Sequence, residues 1–260
     1  ITIPEEFGGM GIGFVELAAV LEQMGRTLLC SPFFSTVCLG AHSLLVAGTD
    51  AQKNEYLPQI VEGTLTATLA YTGAKAAHGG GNWGADAVQA TYTKSGNDYV
   101  LNGTLRYVID GHTADLLIIA ARAENSTGTN GISLFVVPAS TTGMTRKWLP
   151  TMDQTRHQAE ILLNNVSIST SALMSTEAQA WPQLQKIISL AKIAVSAEQM
   201  GGAQEMLDKT VAFTQERIQF GRSIASFQAI KHKAADMMLK CEVARSAVYY
   251  AACVAQEAMS

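Results

Sequence analysis

Apolar positions in the first 62 residues recur with helical spacing. Leu17, Val20, Leu21 and Met24 fall at i, i+3, i+4 and i+7, which predicts one apolar face on a helix from Phe14 to Arg26. A second helix is predicted over residues 35–47. Gly48-Thr49-Asp50 then supplies a stop and a new N-cap, opening a helix that carries Tyr56 and Leu57. The period changes over residues 63–175. Residues 66–71 and 87–93 are rich in β-branched or alternating positions. The turn cluster Ser95-Gly96-Asn97-Asp98 separates Thr93 from Tyr99-Val100-Leu101 and predicts a hairpin. Residues 116–121 and 132–137 are short apolar runs bounded by turn residues, as buried strands are, and residues 148–150 and 160–163 extend the series. Short strands joined by polar turns point to a compact all-β domain, a barrel or a sandwich.

From residue 180 onward the helical period returns. Ile187, Ile188, Ala191, Ala194 and Val195 keep it, and so do Ile230, Ala234, Met237, Met238 and Cys241. Gly201-Gly202 lies inside this region and marks either a break or a close helix crossing, because two glycines cost a helix about 2 kcal/mol against alanine. The expected order is an N-terminal helical domain (1–62), a middle β-domain (63–175) and a C-terminal helical domain (176–260).

Composition narrows the function classes. The chain has 260 residues, 48% hydrophobic and 15% charged, with net charge −4, which is a folded globular profile. Asp and Glu outnumber Lys and Arg, so a nucleic-acid surface is not expected. A local basic pocket for one phosphate-bearing ligand stays compatible with that balance. No run of ~18 apolar residues suggests a membrane span, and Ile1-Thr2-Ile3-Pro4-Glu5-Glu6 does not read as a signal peptide. Cys30, Cys38, Cys241 and Cys253 have no metal-ligand spacing, and His42, His78, His112, His157 and His232 do not cluster. A reduced, cytoplasmic setting without a structural metal is expected.

Three segments together resemble the acyl-CoA dehydrogenase family. Ile3-Pro4-Glu5-Glu6-Phe7-Gly8-Gly9-Met10-Gly11 is similar to its P-E-x-x-G-G-x-G loop. Gln215-Glu216-Arg217-Ile218-Gln219-Phe220-Gly221-Arg222-Ser223-Ile224 is similar to its R-x-x-F-G-x-x-I signature. The segment from Phe227-Gln228 to Ala235-Asp236-Met237 follows as its F-Q-x-x-x-x-x-x-A-D-M helix. The resemblance implies an α-helical N-terminal domain, a middle β-barrel and a C-terminal helical bundle, with the first helices and about the last third of the C-terminal domain lying outside the chain. It also implies FAD, an acyl-CoA substrate, an electron-transfer flavoprotein or similar acceptor, and a homo- or hetero-tetramer.

The resemblance places the cofactor contacts residue by residue. Arg217, Gln219 and Phe220, with Ile224, Phe227 and Gln228 behind them, match the part of the motif that meets the pyrophosphate and adenine end of FAD in a neighbouring subunit. A guanidinium offers a bidentate fork to phosphate, and a phenyl ring offers a stacking face. Tyr71 and Thr72 stand where relatives begin a T-E-P-x-x-G-S-D segment, but here Gly73-Ala74-Lys75-Ala76-Ala77-His78 follows. Tyr107-Val108-Ile109-Asp110-Gly111 stands at the family's W-I-T-N-G. Tyr107 keeps an aromatic ring to cover a flavin, while Ile109 offers no hydroxyl. His78-Gly79-Gly80-Gly81-Asn82-Trp83-Gly84 lacks the context of a phosphate-binding loop and reads as a connection between strands.

The base is the conspicuous gap. In members that carry the catalytic glutamate on the first long C-terminal helix, its position falls here at or near Ala191. Alanine is no base, so no catalytic residue is assigned within the chain. Lys192 falls where relatives often carry arginine and is the substrate-binding candidate. Two readings of the chemistry stay open, an acyl-CoA dehydrogenase whose base lies outside the chain, or a base-lacking subunit of a mixed tetramer. The segment 227–237 looks most like bacterial members acting on sterol side chains or other bulky acyl-CoAs. A third reading is a helical scaffold that has lost its flavin.

Overall fold

The computed structural model describes residues 1–74 and 84–259, so the expected loop from His78 to Trp83 lies outside the described residues. The observed order is helices, then strands, then long helices. α1 is Phe14–Thr27, a π-helix spans Phe34–Ala41, α2 is His42–Ala47 and α3 is Asp50–Val61. The strands are β1 (Ala67–Ala70), β2 (Thr91–Ser95), β3 (Asp98–Ile109), β4 (Leu116–Ala123), β5 (Ile132–Pro138), β6 (Met144–Leu149), β7 (Gln158–Ser169) and β8 (Leu173–Met174). α4 (Trp181–Glu216), the strand pair β9 (Ile218–Gln219) and β10 (Arg222–Ser223), and α5 (Gln228–Met259) follow.

The chain forms two compact units. One holds residues 30–190 with residues 3–10, the other holds residues 11–29 and 191–260 with the first two residues. In the larger unit the strands make one sheet in the order β6-β7-β3-β2-β4-β5-β8, with β1 added parallel to β4. Alternate residues enter a single core: Tyr99 and Leu101 from β3, Leu117 and Ile119 from β4, Phe135 and Val137 from β5, and Ile161 and Leu163 from β7. Tyr92 meets Tyr99 and Phe135 edge-on and Tyr99 meets Phe135 at a tilt, with centroids 5.1–5.6 Å apart. The intervening residues Leu116, Ile118 and Ala120 are buried as well, so β4 reads as an unbroken apolar run.

The helices near the sheet differ from the simple pattern in one respect. Residues 35–47 are not one α-helix, because the segment starts as a π-helix at Phe34 and turns α at His42. Gly40 permits a close approach to β1, since a Cβ there would lie 2.4 Å from that of Ala67. α3 begins as expected with a reciprocal cap: Thr49 Oγ1 accepts from the Gln52 amide, and Gln52 Oε1 accepts from the Thr49 amide.

In the smaller unit, α1 buries only part of the expected stripe, Leu17 and Leu21. Phe14, Leu17, Ala18, Leu21, Glu22 and Gly25 face inward, whereas Val20 is 37% exposed. Glu22 is tolerated there because it is paired. Arg245 Nε donates to its Oε1 at 3.1 Å and Tyr249 Oη to its Oε2 at 3.0 Å. Arg245 also donates to Gln204 at 2.7 Å and pairs with Glu242. A buried carboxylate survives when its lone pairs are answered in this way. Burial, then the bond to Glu22, pushes the Tyr249 phenol upward. α4 runs unbroken through Gly201-Gly202, so the pair marks a close crossing. A Cβ on Gly201 would lie 1.8 Å from the Glu22 carbonyl oxygen, and one on Gly25 would lie 2.0 Å from that of Glu198.

Candidate functional site

Within the larger unit, the end of β1 and the middle of β3 form a backbone clamp. The Arg106 amide donates to the Thr72 carbonyl at 2.9 Å, Gly73 bridges Leu105, and the Ala74 amide donates to Thr104 at 3.2 Å. From the other side, Thr68 Oγ1 donates to the Ile109 carbonyl at 2.7 Å. The sequence-derived candidates Tyr71, Thr72, Tyr107 and Ile109 are therefore brought together on two adjoining segments. Tyr71 is buried, and burial pushes its phenol up to about 12, the Thr72 hydroxyl acting weakly in the opposite direction. Ile109 is half-buried and contributes its carbonyl to the clamp.

Tyr107 owes its place to a β-bulge. Leu105 pairs with Ile161 and Val108 with Ala159, so Arg106 and Tyr107 stand opposite the single residue Glu160. Arg106 Nε meets the Glu160 carboxylate at 3.0 Å. Tyr107 adopts φ +57° and remains 47% exposed, and Asp110 three residues on adopts φ +52°. A bulky residue in the left-handed region costs about 1–3 kcal/mol, a strain that the surrounding structure must hold in place. A large ring kept half-exposed under strain is unusual for a residue with only a packing role. The signal in the sequence was the spacing of Leu105 and Val108, three apart where a regular strand would place inward residues an even number apart.

In the smaller unit, the matched motif is a tight hairpin between α4 and α5. Arg222 pairs with Gln219 and Ser223 with Ile218, leaving Phe220 and Gly221 as the two-residue loop. Both have positive φ, +53° and +76°, as a type I′ turn requires. Asn-Gly would satisfy that turn without strain; Phe-Gly does so at a cost. Phe220 is 90% exposed at the tip, edge-on to Phe227 with centroids 6.1 Å apart. The Arg222 guanidinium lies over the Phe227 ring at 4.2 Å. The Arg217 amide donates to the Phe213 carbonyl, and its own carbonyl accepts from Ile224, which leaves the Arg217 side chain exposed. Gln219 and Gln228 are exposed, and Ile224 and Phe227 are half-buried. Lys192 is exposed on α4, and Ala191 beside it is half-buried.

Among the described residues no cluster of His, Cys, Asp or Glu could hold a metal ion, and no helix is long and apolar enough to cross a membrane. None of the four cysteines forms a disulfide among the described residues.

Comparison with known proteins agrees with this layout. Residues 1–64 match the acyl-CoA dehydrogenase N-terminal domain, 73–166 the middle domain and 179–259 the C-terminal domain. The 3-(aryl)acrylate reductase of Clostridium sporogenes is 32% identical, the match covering 97% of this chain and 67% of that protein. The structure of butyryl-CoA dehydrogenase from Megasphaera elsdenii superposes with a TM-score of 0.90 at 29% identity, covering 99% of this chain and 68% of that one. The steroid ACAD Tcur3481-Tcur3483 gives a TM-score of 0.82 at 28% identity over 99% of this chain and 65% of that one. The chain thus spans about two thirds of the length of the relatives it matches. With all three domains matched in order, this chain belongs to the acyl-CoA dehydrogenase family.

Proposed function

We propose that this chain holds FAD and takes part in the two-electron oxidoreduction of the Cα–Cβ bond of an acyl-CoA thioester, in the direction of dehydrogenation. Members of the family are FAD-dependent flavoproteins. The observation that carries the reading is Tyr107, a ring held half-exposed at positive φ on a bulge clamped to Thr72. The residues present offer a flavin the exposed rings of Tyr107 and Phe220 and the exposed guanidinium of Arg217, and they lack one hydroxyl, at Ile109. Tyr71, Thr72, Tyr107 and Ile109 would line one part of the cofactor. Arg217, Gln219 and Phe220, supported by Ile224, Phe227 and Gln228, would meet the pyrophosphate and adenine of a cofactor in a neighbouring subunit. Lys192 would contact the acyl-CoA.

When bound, FAD supplies the acceptor for the β-hydride. The chain's own contribution is to orient the cofactor and exclude water from the ring that Tyr107 covers. The proton at Cα needs a base, and Ala191 at the family's helix position cannot act as one. A glutamate from the remainder of the protein, or from a related subunit of a mixed tetramer, would take it. The mixed tetramer is favoured by Ala191 together with Ile109 and the altered segment after Thr72. We place the protein in the cytoplasm, with electrons leaving to an electron-transfer flavoprotein or similar acceptor.

The test is the visible spectrum of the full-length protein, purified alone and after co-expression with a related subunit. A flavin band that bleaches on adding an acyl-CoA supports the reading, alone for a self-sufficient enzyme or only with the partner for a mixed one. A protein colourless under both conditions overturns it.

Two substitutions refine the assignment. Arg217→Ala should lower flavin occupancy severalfold without moving the thermal midpoint, because its side chain is exposed; full occupancy would show that the motif does not act on the cofactor. Phe220→Asn should stabilise the hairpin by about 1 kcal/mol, since asparagine tolerates positive φ. The same variant should bind flavin more weakly. A less stable variant, or one with unchanged flavin affinity, would contradict the idea that strain is stored there for binding.

A further inference from the structure

We propose that Ser35 and Asp110 form a positioning pair that gears the π-helix to the bulged end of β3 and so holds Tyr107 in its receiving conformation. The role for Tyr107 rests on the flavin reading above; the gearing itself does not.

The geometry joins the two irregular segments of the larger unit. Ser35 is 1% exposed on the π-helix, and its Oγ lies 2.6 Å from Asp110 Oδ2 and 3.0 Å from the Pro32 carbonyl. A hydroxyl has one proton to donate, and the shorter, charge-assisted contact takes it. Asp110 is itself fixed by its backbone. Its amide donates to the His157 carbonyl at 2.9 Å, and its carbonyl accepts from Thr113 and Ala114. One residue earlier, the Ile109 carbonyl receives Thr68 Oγ1, while Thr36 Oγ1, next to Ser35, accepts from the Ala67 amide. The π-helix, β1 and β3 are thus tied by three side-chain bonds, two of which end within three residues of Tyr107. Neither segment is in a conformation its residues favour on their own. An eight-residue π-helix and a tyrosine with φ +57° both need external support, and π-helical turns recur at functional sites. The carboxylate–hydroxyl bond between the two segments is the natural place for that support.

The neighbouring segments carry two guanidinium groups and two imidazoles. Arg146 Nη1 lies 2.7 Å from the Ala114 carbonyl, the Arg156 guanidinium sits 4.4 Å above the Phe34 ring beside Ser35, and the His112 and His157 rings meet edge-on at 5.5 Å. Arg146 Nη1 also reaches the Gly111 carbonyl at 3.3 Å, one residue from Asp110. Where relatives carry Asn in W-I-T-N-G, this chain carries an acid, so the bond to Ser35 becomes charge-assisted.

The experiment compares the full chain with Ser35→Ala, Asp110→Ala, the double variant and Asp110→Asn, with two readouts. Hydrogen exchange in the flavin-free protein should rise in both segments, 34–41 and 107–111, for either alanine variant. Flavin affinity, followed by flavin fluorescence, should fall about tenfold in each single variant, as expected for loss of one charge-assisted bond. The double variant should match the singles, and Asp110→Asn, which keeps an acceptor and tolerates positive φ, should stay within about threefold of the parent. Exchange confined to the mutated segment, or single variants that bind flavin as the parent does, would overturn the pair. A parent chain that takes up no flavin sinks the functional reading instead, and the exchange pattern then decides the gearing on its own.

Discussion

Replacing Gly201 with alanine should destabilise the α1–α4–α5 unit by about 3 kcal/mol, a severe outcome for a substitution that helix propensity alone would favour by about 1 kcal/mol. The new methyl carbon would stand 1.8 Å from the Glu22 carbonyl oxygen and 3.0 Å from the Arg26 amide nitrogen, both backbone atoms that cannot rotate away. Relief requires α1 and α4 to separate. That separation would also stretch the bonds tying Glu22 to Arg245 and Tyr249, and the pairing of Arg26 with Glu205 and Asp208 at 2.9 and 2.8 Å. The neighbouring glycine is the control. A Cβ on Gly202 would lie 3.6 Å from the Gly25 carbonyl, an ordinary contact, so Gly202→Ala should be neutral or stabilising by up to about 1 kcal/mol. Urea midpoints of the two variants check this. Equal effects at the two positions would mean that close crossing is not the reason for the glycine pair.

That crossing illustrates what the sequence reveals and what it hides. The double glycine in a helical period was visible, but its meaning depended on a partner some 180 positions away that no periodicity marks. The start of α3 was legible because its cap is local: Thr49 and Gln52 answer each other across three positions. α1 was legible as a helix but not in its buried face, because hydrophobicity ranks Val20 above Glu22. Only the arrival of Arg245 and Tyr249 from the far end of the chain makes a carboxylate admissible inside. The π-helix left no readable sign, since apolar spacing over eight residues does not separate an α turn from a wider one.

The candidate site divides in the same way. The segment 217–228 was legible as a motif because its residues are contiguous. Which of its residues are strained was not, as φ is set by the pairing of β9 with β10 around Phe220-Gly221. In the larger unit, Thr72 and Tyr107 were named separately, and the clamp that unites them is made of backbone bonds that side-chain identity does not encode. The bond that Asp110 makes was not legible, because its partner Ser35 lies 75 positions away. Local rules therefore recover elements and motifs, and long-range pairing supplies the geometry that gives them a purpose.

Acidification should test that long-range packing at His42, with an effect of similar size to that of the glycine substitution. His42 opens α2 and is 0% exposed, and burial holds its pKa down at about 4, the Cys38 carbonyl opposing this only in part. The unfolded chain binds the proton near pH 6.5, whereas the folded chain resists it until about pH 4. Between those values the unfolded state holds more protons, so stability falls as pH falls. The slope approaches about 1.4 kcal/mol per pH unit, giving a loss of about 3 kcal/mol across the window, with none added above pH 6.5 or below pH 4. His42→Gln removes the titrating ring. The difference in urea-derived stability between parent and variant should therefore change by about 3 kcal/mol from pH 7.5 to pH 4. Contributions from His112, whose pKa is also lowered by burial and by His157, cancel in that difference because both chains carry it. A difference that stays constant with pH would show that His42 takes up its proton in the folded chain as readily as in the unfolded one, so that the packing between α2 and its surroundings admits water.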